Sequence, residues 1–209
     1  MCNLYRMTKN TDEVAKWFDM VASLGGANFG EEVFPGYPGL VAADGQIQQM
    51  TWGFPLVMKG KTGQPLKPKP VNNARQDKLD SFFWRYSFEE RRCLIPVSAW
   101  AEAQGPKGAK TRTWMARPDS DLFAVAGVWR ESDEFGLCFS MVMTDSAGSA
   151  SADIHSRMPV LLGLKDYEAW VSGSPDEAKA LCQAWSGDLT IDRTDESWVK
   201  GKPSQTSLL

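Results

Sequence analysis

Histidine is almost missing from this chain, and its cysteines never pair closely. The one histidine is His155, and Cys2, Cys93, Cys138 and Cys182 stand far apart in sequence. The short-spaced cysteine pairs of zinc ribbons and redox motifs are therefore absent. A zinc site would have to be drawn from distant cysteines or carboxylates, so no metal is expected, and no cofactor. There is no Gly-x-Ser-x-Gly elbow, and a single histidine offers no independent hydrolytic triad. No apolar run reaches the ~18 residues that suggest a transmembrane helix. Asn3, Arg6 and Lys9 bring polarity and charge at once, which does not suit a secretory signal. The expected location is cytoplasmic.

What is present fits a globular chain. The 209 residues are 43% hydrophobic and 23% charged, enough apolar material for one sizeable core. One domain over 1–209 is expected, with a motif-bearing part at 1–162 and a C-terminal helix and tail at 163–209. The net charge of −3 argues against a surface that binds nucleic acid everywhere. The charge is unevenly spread, however. Residues 59–117 hold 13 Lys and Arg against 5 Asp and Glu, while the remainder holds 10 against 21. One basic face on an acidic body is the footprint of a groove for a phosphate backbone. The other reading is that lysines such as Lys59, Lys61, Lys67 and Lys69 only solvate a loop.

Periodicity predicts a helix over 11–24, capped by Thr11, with Val14, Trp17, Phe18 and Val21 on one stripe. Short strands are predicted at 31–34 and 39–43, then a hairpin turn at Asp44-Gly45 into 46–53. The Lys-, Gly- and Pro-rich stretch 58–72 reads as loop. Leu79, Phe82, Phe83 and Tyr86 have helical spacing within 75–87. Strands follow at 93–97, 99–103, 111–116, 122–130 and 137–144. Residues 146–153 read as loop or a short helix. Ser174-Pro175 starts a helix that leads to Trp185, and the tail beyond 200 reads as loose. The fold class is α+β, with mainly antiparallel, curled, barrel-like sheets and flanking helices.

Cys2 carries the most distinctive chemistry. If Met1 is removed, a free α-amine and a thiol share one carbon framework. The amine attacks an aldehyde to give a Schiff base, and the thiol then closes a five-membered thiazolidine in an intramolecular step. An α-amine titrates at roughly 7.7–8.0, against about 10.4 for lysine, so much of it is neutral near pH 7. The plain alternative is a small apolar residue in a first strand.

Four scattered segments carry polar groups suited to such a reaction: Cys2, Asn72-Asn73-Ala74-Arg75, the run from Ile95 to Glu102, and the run from Ile154 to Pro159. Met1-Cys2, Trp52-Gly53, Asn73-Ala74-Arg75, Arg92-Cys93-Leu94-Ile95-Pro96 with Trp100 and Glu102, and His155 through Arg157-Met158-Pro159 occur in this order. In that ordered set the chain resembles the SOS response-associated peptidase (SRAP) domain family.

The resemblance implies a DNA damage response protein that crosslinks itself to abasic sites in single-stranded DNA, its partner, through a thiazolidine on Cys2. It implies Cys2 as nucleophile, Asn73 as the group holding the α-amine, Glu102 as general acid/base linked to removal of Met1, and His155 as the assistant to sugar ring opening. Arg75 and Arg157 would contact phosphates, and Trp52 and Trp100 would stack on flanking bases. The proton chemistry is reasonable for these residue types. A closed hemiacetal needs a donor and an acceptor to open, and histidine titrates in the useful range. Guanidinium forks onto phosphate oxygens. Each residue also has a structural reading: Asn73 as a helix cap, Glu102 as a solvated strand residue, His155 as a loop residue, Arg157 as a salt-bridge partner, and the two tryptophans as core.

Asn3-Leu4 stands where the family has Gly-Arg, so one phosphate contact is missing unless Arg6 supplies it. Ala103 replaces a Trp after the glutamate, and Ser156 replaces an Asp after the histidine. The stretch from Phe34 to Pro38 departs from the family's Asn-Ala-Pro pattern. Two other readings stay open: an N-terminal-nucleophile hydrolase resembling class II glutamine amidotransferases, and a non-catalytic single-stranded DNA binding module. A monomer with no membrane partner is expected.

Overall fold

The computed structural model describes residues 2–22 and 30–198. The chain begins with β1 (Tyr5–Arg6), α1 (Thr11–Phe18), β2 (Val21–Ala22), β3 (Glu32–Val33), β4 (Pro38–Ala43) and β5 (Gln46–Trp52). It continues through β6 (Phe54–Leu56), β7 (Lys69–Val71), β8 (Asn73–Arg75), α2 (Arg85–Glu90), β9 (Arg92–Val97), β10 (Ala99–Gln104) and β11 (Thr111–Ala116). The last part holds β12 (Phe123–Ser132), β13 (Gly136–Asp145), β14 (Arg157–Pro159), β15 (Leu161–Leu162), α3 (Tyr167–Ser172), α4 (Pro175–Ala180) and β16 (Thr190–Ser197).

Five strands close on themselves. The order β13-β12-β9-β4-β5 is antiparallel throughout, and a parallel pairing of β5 with β13, Cys138 opposite Thr51 and Phe139 opposite Trp52, completes a barrel. Closure removes the exposed edges of these strands. All of β9 and residues 123–128 of β12 are buried, so their sequences read as continuous apolar runs rather than an alternating pattern. Packing inside is close. A Cβ on Gly127 would lie 2.8 Å from both the Cys93 Sγ and the Ile95 Cδ1. The β4–β5 hairpin turns at Asp44 and Gly45, with φ of 50° and 73° as expected for this turn.

A second sheet, ordered β16-β11-β10-β1-β3, packs against the barrel. Tyr5 of β1 sits edge-on to Trp52 at 5.0 Å, and Trp52 stacks on Phe139 at 6.4 Å, which ties the sheet to the barrel wall. β1 pairs with β10 through Tyr5–Trp100 and Arg6–Ala99, and the Ala101 N–H donates to the Leu4 carbonyl at 2.9 Å. The N-terminal segment is thereby laid along the strand that carries Glu102.

The expected α+β, barrel-like class is the one observed. Several boundaries differ. α1 stops at Phe18 because Asp19 takes a left-handed conformation; its cap is Asn10, boxed with Glu13, and not Thr11. Residues 23 and 24 of the expected helix, and the tail beyond 200, lie outside the described residues. The 75–87 helix is a 3-10 turn at Gln76–Lys78 followed by α2. Its apolar spacing misled because Phe82 is 95% exposed rather than on a buried stripe. Within 58–72, β7 pairs with β6. The last predicted helix ends at Ala180, short of Trp185. β16 has a polar, mostly exposed sequence, so no hydrophobic pattern announced it; pairing with the edge of β11 makes it a strand.

Candidate functional site

Cys2 is the point on which distant segments converge. Its carbonyl accepts two side-chain hydrogen bonds, from Asn73 Nδ2 at 2.7 Å and Asn72 Nδ2 at 2.9 Å. Asn72 Nδ2 also donates to Asn3 Oδ1 at 3.1 Å. Neither asparagine caps a helix. Asn73 opens β8, which runs parallel to β13 with Asn73 opposite Met141. The Asn72 carbonyl accepts from the Met141 N–H and the Trp52 indole, both at 3.0 Å. The two amides are therefore mounted on the barrel wall. Asn73 Oδ1 is buried with no hydrogen-bond partner among the described residues.

Glu102 lies on β10 opposite Thr113 and is 4% exposed, so it is not a solvated strand residue. Burial raises its carboxyl above the ordinary range, since the charged form loses water, while His155 acts in the opposite direction. The Cys2 thiol is raised too, first by burial and then by the Glu102 carboxylate. The electrostatic coupling links Cys2 to Glu102 and Glu102 to His155.

His155 sits between β13 and β14 in a turn held by serines. Ser146 Oγ donates to the His155 carbonyl at 2.6 Å, and the His155 N–H donates to the Ser151 carbonyl at 3.2 Å. The Arg157 N–H donates to His155 Nδ1 at 3.0 Å. The Arg157 carbonyl lies 3.2 Å from the same nitrogen, so the Arg157 main chain holds the ring in place through both of its polar groups.

The expected DNA contacts fare differently. Arg157 is half-buried on β14 and makes no ion pair among the described residues. Arg75 forks onto Asp77, at 2.8 and 2.6 Å, so phosphate would have to compete with a carboxylate. Trp52 and Trp100 are corrected: both are fully buried and present no face to a base. Trp52 is spent on Asn72 and the aromatic stack, and Trp100 packs edge-on to Phe123. Arg6, the candidate to replace the missing arginine, is already engaged. It lies over the Trp114 ring at 3.7 Å and pairs with Glu32 at 3.2 Å. The basic segment is also less of a surface than its sequence suggests. Arg92 is buried against main-chain carbonyls, including those of Phe88 and Trp170, and Arg112 is buried against Glu32 and Glu196. Among the described residues no three His, Cys, Asp or Glu side chains are placed to hold a metal. No helix there is long and apolar enough to cross a membrane.

The family described as SOS response associated peptidase (SRAP) matches residues 1–197. The chain belongs to the SRAP family. Curated relatives include an abasic site processing protein of Saccharomyces cerevisiae, 28% identical over 128 residues. That match covers 60% of this chain and 34% of the yeast protein, so the chain spans about a third of that relative's length. The abasic site processing protein YoqW of Bacillus subtilis is 24% identical over 154 residues, covering 70% of this chain and 67% of YoqW. Among solved structures, a protein from Bordetella bronchiseptica superposes with a TM-score of 0.75 at 19% identity, covering 92% of this chain and 99% of that one. A protein from Bacteroides thetaiotaomicron gives 0.74 at 18% identity, covering 93% of each. At these identities the structural likeness concerns the fold.

Within this SRAP chain, two residues near Cys2 escaped the sequence reading. Asn72 stood beside Asn73 in the quoted motif, but nothing in the sequence said that both amides would reach one carbonyl. Tyr5 is fully buried, and its hydroxyl finds no hydrogen-bond partner among the described residues. Only the packing of β1 against the barrel reveals it.

Proposed function

We propose that this protein acts in the response to DNA damage by joining itself covalently to abasic sites in single-stranded DNA, through Cys2 once Met1 has been removed. The observation that carries the reading is the convergence on Cys2 of two amides on its carbonyl and a buried carboxyl that is itself coupled to the one histidine. The relatives named as abasic site processing proteins give the substrate class.

The chemistry balances without a cofactor. His155 and Glu102 move protons between the ring oxygen and the anomeric hydroxyl of the abasic sugar, opening it to the aldehyde. The neutral Cys2 amine attacks the aldehyde carbon, and one N–H proton passes to the oxygen. Protonation of the resulting hydroxyl by Glu102 expels water and leaves the protonated imine. The thiol sulfur adds to the imine carbon, and its proton returns to the Glu102 carboxylate. The products are a thiazolidine and one water. The raised Glu102 carboxyl supports its part, because burial favours the protonated form that can donate. Asn73 Oδ1, buried and without a partner among the described residues, can accept from the freed α-amine. Arg157, next to the histidine turn, would contact a phosphate.

In the chain that retains Met1 the Cys2 side chain is fully buried. The reading therefore requires hydrolysis of the Met1–Cys2 bond to make the aminothiol accessible. The test is intact mass of the purified protein, followed by incubation with a single-stranded oligonucleotide bearing one abasic site and a denaturing gel. A slow band is expected whose mass equals protein without Met1 plus DNA less one water. No such band, or an equal one from Cys2→Ala, overturns the reading.

A further inference from the structure

The Cys2 carbonyl holds one more amide donor than is needed to satisfy it. Asn73 alone, at 2.7 Å, would give this buried oxygen a partner; Asn72 adds a second at 2.9 Å. The orientation of the Asn72 amide follows from its neighbours. Its Nδ2 faces two acceptors, the Cys2 carbonyl and Asn3 Oδ1, so the nitrogen and not the oxygen must point there. Its backbone is fixed as well, since its carbonyl accepts from Trp52 Nε1 and from the Met141 N–H. Asn72 is thus a rigid arm on the barrel wall, and its amide is divided between the first and second residues of the mature chain. Asn73 differs: after donating to Cys2 it still has a buried, unused Oδ1.

We infer that Asn72, held by Asn3, is a positioning residue that fixes rotation about the Cys2 Cα–C bond and loosens the hold of the α-amine on its proton. The inference rests on the reading of Cys2 as the nucleophile. Its physical basis is the electron demand of the neighbouring peptide group. An α-amine is less basic than a lysine amine, roughly 7.7–8.0 against about 10.4, largely because a carbonyl is attached to the same carbon. Two N–H donors on that oxygen polarise the carbonyl further and increase the withdrawal. Their dipoles also present positive ends near the ammonium that would form. Both effects favour the neutral amine, which is the form that attacks an aldehyde. Pinning the carbonyl also restrains the backbone that carries the amine relative to Glu102 and His155, so part of the entropy of orienting it is lost on folding rather than at the reaction.

The test uses protein that begins at Cys2, released from an N-terminal fusion and checked by intact mass. Single-turnover crosslinking to an abasic single-stranded oligonucleotide is measured from pH 5.5 to 9 for the wild type, Asn72→Ala, Asn72→Gln and Asn72→Asp. Asn72→Ala is expected to slow crosslinking about ten-fold near pH 6.5, one pH unit along the rising limb of the profile, and to converge with wild type at about pH 9. Asn72→Gln, which keeps a donor, should recover part of the loss. Asn72→Asp, isosteric but with acceptors where the donor was, should move the limb at least as far as Asn72→Ala. It gives the answer if the alanine variant does not fold. Superimposable profiles, or equal slowing at every pH, overturn the inference while crosslinking by the wild type leaves the proposed function standing. A wild type that begins at Cys2 and forms no crosslink overturns the proposed function, and this inference with it.

Discussion

Removing both asparagine side chains from the Cys2 carbonyl should cost more stability than the two single removals combined. Asn73→Ala loses one hydrogen bond but leaves the carbonyl with Asn72, so about 1 kcal/mol is expected. Asn72→Ala loses the bonds to Cys2 and Asn3 and leaves Asn73 in place, about 1–2 kcal/mol. The double variant is different in kind. It strands a buried carbonyl with no partner, a desolvation penalty of about 1–3 kcal/mol beyond the lost bonds. A coupling of roughly that size should appear in a double-mutant cycle, where independent sites agree to within about 0.5 kcal/mol. For a chain of this length each kcal/mol moves the melting temperature by about 2–4 °C. Urea unfolding followed by tryptophan fluorescence reads the free energies directly. Additive losses would refute the reasoning, for they would mean that water already satisfies the carbonyl and that the clamp is not what holds the N-terminus.

Tyr5→Phe should stabilise the protein by about 1 kcal/mol, seen as a melting temperature about 2–4 °C higher, because it removes a buried hydroxyl that has no partner among the described residues. Gly39→Ala should destabilise, since its Cβ would fall 2.2 Å from the Tyr5 hydroxyl, and Tyr5→Phe should relieve part of that loss. Glu102 is raised in the folded state, so its contribution is full below the ordinary carboxylate range and is lost as pH rises through its folded value. Glu102→Gln should therefore melt above the wild type at pH 7–8 and level with it near pH 4, while losing crosslinking. Arg157→Ala should weaken binding to single-stranded DNA at all sequences and lower the salt dependence by about one phosphate contact, measured by fluorescence anisotropy at several salt concentrations. Arg75→Ala should do less, because Asp77 already occupies that guanidinium.

Some of the site was legible in the sequence, because residue chemistry is local. A cysteine at position 2, a lone histidine before Arg-Met-Pro, and a glutamate among apolar strand residues each carry a group whose chemistry can be read from its type alone. The central strands were legible too. Turn residues bound them, and their side chains are apolar enough to be read as buried. The failures came where burial was assigned from spacing alone. Leu79, Phe82, Phe83 and Tyr86 repeat like a helix face, yet Phe82 and Tyr86 face solvent. Arg6 could pass for a phosphate ligand in sequence, but Glu32 and Glu196, far along the chain, pair with it.

The sequence by itself determined the set of reactive groups and the strand-rich class, since both depend on residue type and short-range pattern. Tertiary structure alone decided which groups meet. The parallel pairing of β5 and β13 closes the barrel, the pairing of β8 with β13 mounts Asn72 and Asn73 on its wall, and the pairing of β1 with β10 lays Cys2 along the strand that carries Glu102. It also sealed Trp52 and Trp100 inside. Long-range strand pairing sets which side chains share a face, and no local pattern encodes the partner of a strand many residues away.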